Sequence, residues 1–345
     1  MVNLAPLVLT VLVGSGATDT TVAVKAGTRL ELDCFSGDIV VRAWSKDQVR
    51  VMADHSSRAR VVLRRSENRL KLDVQTRHGI PTSVDYQITV PTWMALELGG
   101  VSTDISIEGV KGHVKASTVS GRIGVRGGGE YIVVESVEGG VQVVGARGRI
   151  EASSINDDVE IVDSSGEIAA ETVEGNVMIS GVDARLVEVS SVNGNLFFNG
   201  PLRRGGVYSF STHQGDVIVG VPENPDVTVT VSTFDGDFSS SFPLKPQPQS
   251  GHKRRQNFVI GSGSARLEIE AFQGHVRLEK ESAALKAALE RMRAGQKASQ
   301  ESRQWHTDWK WKTKYSDKPE PAPVPKTDPD PNPDEPEEQH ELEVP

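Results

Sequence analysis

Apolar and polar residues alternate along most of the chain in short runs, and the pattern of these runs repeats. A turn position, which we call the pivot, recurs at an 18-residue step at Thr103, Gly121, Gly139, Asp157 and Gly175. The step then lengthens to 19 and 21 residues, with further pivots at Gly194, Gly215 and Gly236. A step in this range predicts a stacked repeat, in which each unit buries its apolar face against its neighbours.

Aligning the repeats on the pivots shows apolar columns on both sides of each turn. Apolar residues stand two and four places after the pivot, as Ile123 and Val125 do, and seven and five places before it, as Ile150 and Ala152 do. Both runs therefore have the period of two that is typical of strands, and neither has the three- and four-residue spacing of a helix. The pattern predicts an all-β solenoid with 18–21-residue coils, each containing two short strands.

The residues between the two strands indicate a tight corner. A small hydroxyl residue stands three places before most pivots, at Thr118, Ser136, Ser154, Thr172, Ser191, Thr212 and Thr233. The next position is apolar in most coils, and we interpret it as part of the same corner: Val119, Val137, Ile155, Val173, Val192, then His213 and Phe234. Glycine at the pivot suits such a corner because it adopts positive φ at little cost.

The same frame fits the segments around Gly37 and Gly274, so residues 18–280 are predicted to form one solenoid domain. Two stretches interrupt it. Residues 42–93 contain longer, hairpin-like strands and are interpreted as an atypical N-terminal cap, since a terminal coil otherwise exposes a strand edge. Pro243–Asn257 is rich in Pro, Gln and basic residues, which predicts a protruding loop.

The first residues have the character of an export signal. The run from Leu4 to Val13 is apolar but too short to span a bilayer, and Ser15-Gly16-Ala17 suits cleavage after Ala17. Residues 1–17 are therefore predicted to be a signal peptide of a protein exported to the periplasm, cell envelope or medium. No Lys or Arg precedes the run, so two alternatives stay open: an N-terminal β-segment or a misplaced start codon, either of which places the protein in the cytoplasm.

The C-terminal part changes composition twice. Leu285, Leu289 and Met292 have helical spacing, which predicts a short helix over Ser282–Ala294 within a segment covering residues 281–316. Residues 317–345 are acidic, rich in proline and nearly free of apolar side chains, and they carry most of the net charge of −9. Such a segment cannot bury enough apolar surface to fold, so a disordered tail is predicted.

Aromatic and basic residues cluster between this helix and the tail. The cluster consists of Trp305, Trp309, Lys310, Trp311, Lys312 and Lys314. Two interpretations stay open. In the first, the helix and the tryptophans fold back over the open C-terminal coil as a cap. In the second, the cluster contacts a membrane interface, an anionic glycan or the groove of a protein partner.

Motifs of catalysis and cofactor binding are missing from the sequence. The eight histidines are dispersed without metal-binding spacing, and Gly261-Ser262-Gly263 lacks the helix and the lysine that a phosphate loop requires. Cys34 stands in a small-residue column and is interpreted as a buried structural thiol. The basic loop at residues 252–255 is too small for a nucleic-acid footprint. We therefore predict no catalytic residue, no cofactor and no nucleic-acid partner.

One polar column has the residue types of a metal site. Asp158, Asn176, Asn195, Asp216 and Asp237 each follow a pivot, and stacking of the coils would align them at steps of about 4.8 Å. Oxygen ligands in a row suit Ca²⁺. The same residue types also bond nearby backbone in turns, and we predict this turn ladder, with no metal.

The repeat motif resembles that of a known family. The residues that carry the resemblance are Thr118–Val125, Thr172–Ile179, Ser191–Leu196, Phe35–Val41 with Trp44 and Val49, and Leu267–Leu278 with Gly263. They resemble the bacterial DUF4097 family of β-strand-repeat, adhesin-like proteins, related to the toastrack domains of envelope-stress proteins. The resemblance covers residues 20–280 and implies a right-handed single-chain β-solenoid with a role in the cell envelope. It supplies no catalytic residues to carry over.

Three functional hypotheses follow from these features. The leading one is a non-enzymatic cell-envelope or secreted protein that acts in adhesion or as an interaction scaffold. The second is a polysaccharide-active enzyme on a β-helix, although the outward strand positions form no clear acid–base group. The third is a polymer-forming scaffold in the cytoplasm, which an uncleaved N-terminus would favour.

Overall fold

A computed structural model describes residues 16–76, 82–246 and 255–281. Within these ranges the protein is all-β, with 25 strands joined into one hydrogen-bonded sheet system and no helix. The predicted helix at Ser282–Ala294, the Trp/Lys cluster, the tail and residues 1–15 lie outside the described residues. The predicted cleavage point, after Ala17, falls between the first and second residues of β1 (Ala17–Ala23), the first strand that the structure describes.

The repeats stack as the 18-residue step predicts. The strand before each corner belongs to one parallel stack, which contains β8 (Val114–Ser120), β10 (Tyr131–Glu138), β12 (Arg147–Ser154), β14 (Ser165–Glu174), β16 (Asp183–Asn193) and β18 (Val207–Gln214). The strand after each corner belongs to a second parallel stack, with β9 (Ile123–Arg126), β11 (Val141–Val144), β13 (Val159–Val162), β15 (Val177–Ser180), β17 (Leu196–Asn199) and β19 (Val217–Val221). Residues one repeat apart are paired, as Ile132 is with Ile150 and Val141 with Val159. The prediction of an all-β stacked repeat is confirmed.

The core lies between the two stacks and contains the predicted apolar columns. Ile123, Ile150 and Val177 are fully buried, and the corresponding residues of the other coils are buried as well, except Phe238 in the outermost coil, which is half-buried. In the later coils the columns carry larger side chains, and Phe198 packs against Tyr208 and Phe210 with ring centroids 5.8 and 5.4 Å apart. Burial of these columns fixes the pairing register of each strand, because a shift by one residue would turn the apolar face to solvent.

At the N-terminal end the coil around Gly37 stacks directly on the coil around Thr103. β2 (Arg29–Trp44) runs parallel to β7 (Ala95–Glu108), with Gly37 opposite Thr103. The edge of β2 that faces away from β7 is covered by the strands that come between them in sequence: β3 (Gln48–His55), β4 (Ala59–Ser66), β5 (Arg69–Thr76) and β6 (Val84–Pro91). β5 and β6 pair with the two halves of β2, and the antiparallel pairs β4–β5, β3–β6 and β1–β3 extend this layer.

The C-terminal coils stack in an order that differs from their order in the chain. The strands here are β20 (Val227–Asp235), β21 (Phe238–Ser240), β22 (Lys245–Pro246), β23 (Arg255–Ile260), β24 (Ala265–Gln273) and β25 (Val276–Lys280). Leu267 of β24 is paired with Tyr208 of β18 on one side and with Val229 of β20 on the other. The last coil, around Gly274, therefore lies between the coils around Gly215 and Gly236.

The prediction of a simple loop over Pro243–Asn257 was wrong at its C-terminal end. Arg255–Ile260 is a strand, β23, which pairs antiparallel with the outer edge of β20, with Val229 opposite Phe258. Lys245–Pro246 forms a short strand on its other side. The segment thus covers an otherwise open strand edge, which is the protection that the end of a solenoid needs.

Candidate interaction surface

The corner of each coil is fixed by a buried hydroxyl. Thr118, Ser136, Ser154, Thr172, Ser191 and Thr212 are buried, and each donates to the pivot carbonyl of the preceding coil, as Thr172 Oγ1 does to the Asp157 carbonyl at 2.9 Å. Since adjacent positions of an extended chain point to opposite sides, the residue after the hydroxyl points outward. This outward residue stands two places before the pivot, at the apolar position that the sequence pattern assigned to the corner.

These outward residues form a row that we call the apolar ridge. In stacking order the ridge contains Phe35, Val101, Val119, Val137, Ile155, Val173, Val192, His213, Phe272 and Phe234. All are exposed except Val137, which is half-buried, and the exposed fraction reaches 52% at Phe35 and 50% at Phe234. The ridge takes one side chain from each coil.

Successive ridge residues are held in register by the strands beneath them. Val173 and Val192, for example, lie between the paired residues Thr172 and Ser191 on one side and Glu174 and Asn193 on the other. With about 4.8 Å between coils, the ridge is roughly 43 Å long.

The ridge ends in an aromatic stack at the C-terminal end. Phe272 is stacked between His213 and Phe234, at centroid distances of 4.7 and 4.6 Å and interplanar angles of 12° and 10°. This continuity depends on the insertion of the last coil, since Phe272 comes after Phe234 in the sequence but lies before it in the stack.

The flanks of the ridge are acidic. The two positions beside it in each coil, four residues and one residue before the pivot, include Asp33, Glu135, Glu138, Glu171, Glu174, Asp235 and Glu270, whereas neither column contains Lys or Arg. All seven carboxylates belong to exposed residues. One of them, Asp33, has the Lys71 ammonium 3.9 Å from its carboxylate. The surface therefore combines a narrow apolar row with acidic side chains on both sides, a combination that favours apolar contact with a positively charged partner.

The sequence pattern identified the residues of the apolar ridge as one column, but it assigned them to the corner of the coil. The signal that distinguishes the two roles was available, because an apolar residue that directly follows a buried hydroxyl faces away from the core. Exposure of such a residue becomes clear only when the path of the backbone at the corner is known.

The Asp/Asn column lies on the other side of each pivot and forms the predicted ladder, with one difference. From Asp158 to Asp216, each side-chain oxygen accepts a hydrogen bond from the backbone N–H of the next coil in the stack, rather than from its own turn. Asn176 N–H donates to Asp158 Oδ1 at 2.7 Å, Asn195 N–H to Asn176 Oδ1 at 3.1 Å, and Asp216 N–H to Asn195 Oδ1 at 2.9 Å. The oxygens therefore connect the coils.

The ladder also corrects the predicted order of its last members. His275 stands between Asp216 and Asp237 because the last coil is inserted there. Its N–H donates to Asp216 Oδ1 at 2.9 Å, and its Nδ1 accepts from Asp237 N–H at 3.4 Å. Within the described ranges, no group of three or more His, Cys, Asp or Glu side chains is placed to hold a metal ion.

We expect Asn176→Ala to lower the free energy of unfolding by about 1–2 kcal/mol, because it removes bonds to both neighbouring coils. Asn176 accepts from Asn195 and donates Nδ2–H to Asp158 Oδ1 at 3.1 Å. Asn193→Ala, at an exposed position of the next corner, is the matched control. Urea denaturation measures both variants.

Millimolar Ca²⁺ should leave the Tm of the natural chain unchanged, and a clear rise in Tm would show that the ladder is a calcium site instead.

Two other sequence candidates have structural roles. The N–H and hydroxyl groups of Ser262 donate to Asp226, at 2.5 Å and 2.9 Å to Oδ1, so the Gly261-Ser262-Gly263 turn binds a carboxylate of the chain itself. Hydrogen bonds from Ser262 and then Ser264 lower the pKa of Asp226. Cys34 is buried and donates to the Ser36 carbonyl at 3.2 Å, and burial raises the pKa of its thiol, as expected for a structural cysteine.

The remaining candidate residues, Trp305, Trp309, Lys310, Trp311, Lys312 and Lys314, lie outside the described residues. In the part of the chain that the structure describes, no helix has the length and apolar character needed to span a membrane.

Comparison with known proteins identifies the family. The family model for Toastrack DUF4097 matches residues 27–279, which is most of the chain and includes nearly all of the stacked coils. The chain belongs to the Toastrack DUF4097 family. The sequence resemblance is confirmed, and with it the solenoid-like β-repeat fold.

Other comparisons add little to this Toastrack assignment. No curated protein matches the sequence. Among the matching solved structures is one described as a "putative cell adhesion protein" from Clostridium sporogenes, with 9% identity, a TM-score of 0.20, and coverage of 77% of this chain and 100% of that chain. A TM-score this low bears on neither the fold nor the function of the present chain.

Proposed function

We propose that this Toastrack protein is a non-enzymatic interaction scaffold of the cell envelope or the extracellular space, acting in adhesion or assembly by binding a protein partner along the apolar ridge. The observation that carries the proposal is the continuity of the ridge. It runs from Phe35 to Phe234 with one side chain per coil and a stack of aromatic rings at its end. Contiguous apolar surface of this kind on a soluble β-protein marks an interaction site.

The acidic flanks indicate the chemistry of the partner. A protein that presents an apolar row bordered by Lys and Arg would bury the ridge and neutralise its flanks. A second copy of this ridge would bring acidic columns such as Glu135 and Glu171 against each other, which disfavours self-association through it. Anionic lipid surfaces and nucleic acids are disfavoured for the same electrostatic reason.

The repeated positions support a binding role over a catalytic one. Buried columns form the core, hydroxyl and Asp/Asn columns connect the coils, and the ridge column remains for contact with other molecules. Export of the chain, which the N-terminal sequence pattern predicts, would place the ridge where envelope or extracellular partners can reach it.

A peptide selection tests this proposal with a defined probe. The purified full chain is immobilised and used to select from a displayed library of random twelve-residue peptides. We expect enrichment of peptides in which apolar and basic residues alternate, because an extended chain then places both against the ridge and its flanks. Binding should weaken as salt is raised.

The decisive comparison uses a triple ridge variant, Val119→Ser, Ile155→Ser and Val173→Ser. These side chains are 37–45% exposed, so the fold should be retained. The matched control is Leu186→Ser with Val207→Ser, which removes paired, 40–42% exposed apolar side chains away from the ridge. The proposal requires loss of the selected peptides from the ridge variant alone. Equal binding by both variants, or enrichment without basic residues, would overturn it.

A further inference from the structure

The second strand stack is buried on the side that faces away from the core. In β13 the inward residues Val159 and Ile161 are buried, as expected, but so is Glu160 between them, with 2% exposure. Three equivalent outward positions in other coils are also buried, Gln142 at 8%, Met178 at 4% and Ile218 at 8%, and Phe197, which lies between Met178 and Ile218 in the stack, is half-buried. Since side chains alternate across a strand, these residues form one outer face, which we call the covered face.

Burial of this face is confined to the middle coils. The equivalent residue Ser106 is half-buried near one end of the stack, and Ser239 at the other end is exposed. Among the described strands, those in substantial contact with β13 are its sheet neighbours β11 and β15 and its chain neighbours β12 and β14. None of these lies across the covered face.

The described chain ends beside this face. β25 pairs with β19, Lys280 lies opposite Val221, and Glu281 N–H donates to the Val221 carbonyl at 2.7 Å. The described residues therefore end at the border of the covered face, next to the coil that carries Ile218.

The segment that starts there has the pattern and length to cover the face. Residues 282–294 carry Leu285, Leu289 and Met292 on one side of a helix, with alanines between them that permit close approach to a sheet. Thirteen helical residues extend about 20 Å. The coils from Gln142 to Ile218 span four steps, or about 19 Å.

Charge also favours residues 282–294 as the segment that lies on the covered face. Glu160 is almost completely buried, and its carboxylate accepts a hydrogen bond from Gln142 Nε2. A carboxylate at this depth is compatible with a covering element that brings cations. The segment carries three basic residues, Lys286, Arg291 and Arg293, and one acid, Glu290.

We propose that residues 282–294 form an amphipathic helix that lies across the covered face, runs from the Gly215 coil toward the Gly139 coil, and places Leu289 over Met178. The position of Leu289 follows from the helical rise, because seven residues beyond 282 advance about 10 Å, or two coils. The helix is thus a structural part of the solenoid domain, rather than a cap on its terminal coil. This inference is independent of the function proposed for the ridge.

Disulfide trapping in the full chain tests the placement. In a Cys34→Ala background, Met178→Cys is combined with Leu289→Cys, or with Ala287→Cys on the opposite side of the helix as the matched control. The proposal predicts an intramolecular disulfide for the first pair and little for the second under mild oxidation. A disulfide-linked dimer would assign the face to a second copy and overturn the proposal, and so would equal trapping of the two pairs.

Proteolysis supplies a second readout that leaves the solenoid sequence unchanged. Trypsin cleavage after Arg291 is compared with cleavage after Lys297 in the same chain. Leu289→Glu should speed the first relative to the second about tenfold, because it weakens docking, whereas Ala287→Glu should change the ratio less than about twofold. Rapid cleavage after Arg291 in the natural chain, or equal effects of the two variants, would contradict the proposal.

Discussion

Replacing Gly274 with alanine is expected to lower the free energy of unfolding by about 3 kcal/mol or more. Gly274 has φ +145°, and a Cβ at this position would lie 1.9 Å from the carbonyl oxygen of Gly215, the pivot of the adjacent coil. Backbone cannot move away from such a contact without separating the coils. The loss of stability therefore measures how closely the pivots stack.

Gly124→Ala is the matched control for this prediction. Gly124 lies in β9, has no positive φ, and leaves a new Cβ with nothing within 4 Å. Alanine there should be neutral or slightly stabilising, because glycine weakens the interior of a strand. Chemical denaturation of both variants is the measurement. Similar stability of the Gly274 variant and the natural chain would show that the last coil does not pack between its neighbours as described.

The second large effect is expected in the core. Phe198→Ala should reduce the free energy of unfolding by about 3–5 kcal/mol, because Phe198 is 1% exposed and packs against both Tyr208 and Phe210. Phe234→Ala removes the same side chain from the end of the ridge, where it is 50% exposed, and should cost less than about 1 kcal/mol. Equal losses would mean that the ridge contributes to the core rather than to an exposed surface.

The sequence pattern was sufficient to predict the coil and its core. Ile123 and Val125 were expected to face inward from their spacing to Gly121, and both are buried. Such columns are predictable because each coil repeats the same local geometry, so the same pattern in many coils supports a single assignment of inward and outward positions. The stacking of Gly37 on Thr103 follows from the same frame.

The order of the last coils could not be predicted in this way. The coils around Gly236 and Gly274 carry the same columns, so nothing in their sequences indicates which of them contacts the Gly215 coil. In the structure, β23 pairs antiparallel with the outer edge of β20, and β24 occupies the inner edge. The polar sequence around Arg255 gave no sign of this strand.

The interaction surface was predictable only in part. Val119 and Ile155 were recognised as members of an apolar column, but their exposure depends on the direction of the chain at the corner, which the hydroxyl bonds of Thr118 and Ser154 determine. The aromatic end of the ridge depends on the inserted coil, so it could not be assembled from sequence order.

The central claim is that the ridge is the binding surface, and one titration tests it most directly. The consensus peptide from the selection is titrated calorimetrically into the natural chain, the triple ridge variant and the Leu186/Val207 control. We predict that the ridge variant binds at least about tenfold more weakly, a loss of roughly 1.4 kcal/mol, while the control binds as the natural chain does. Equal affinity of all three proteins for the peptide would contradict the claim.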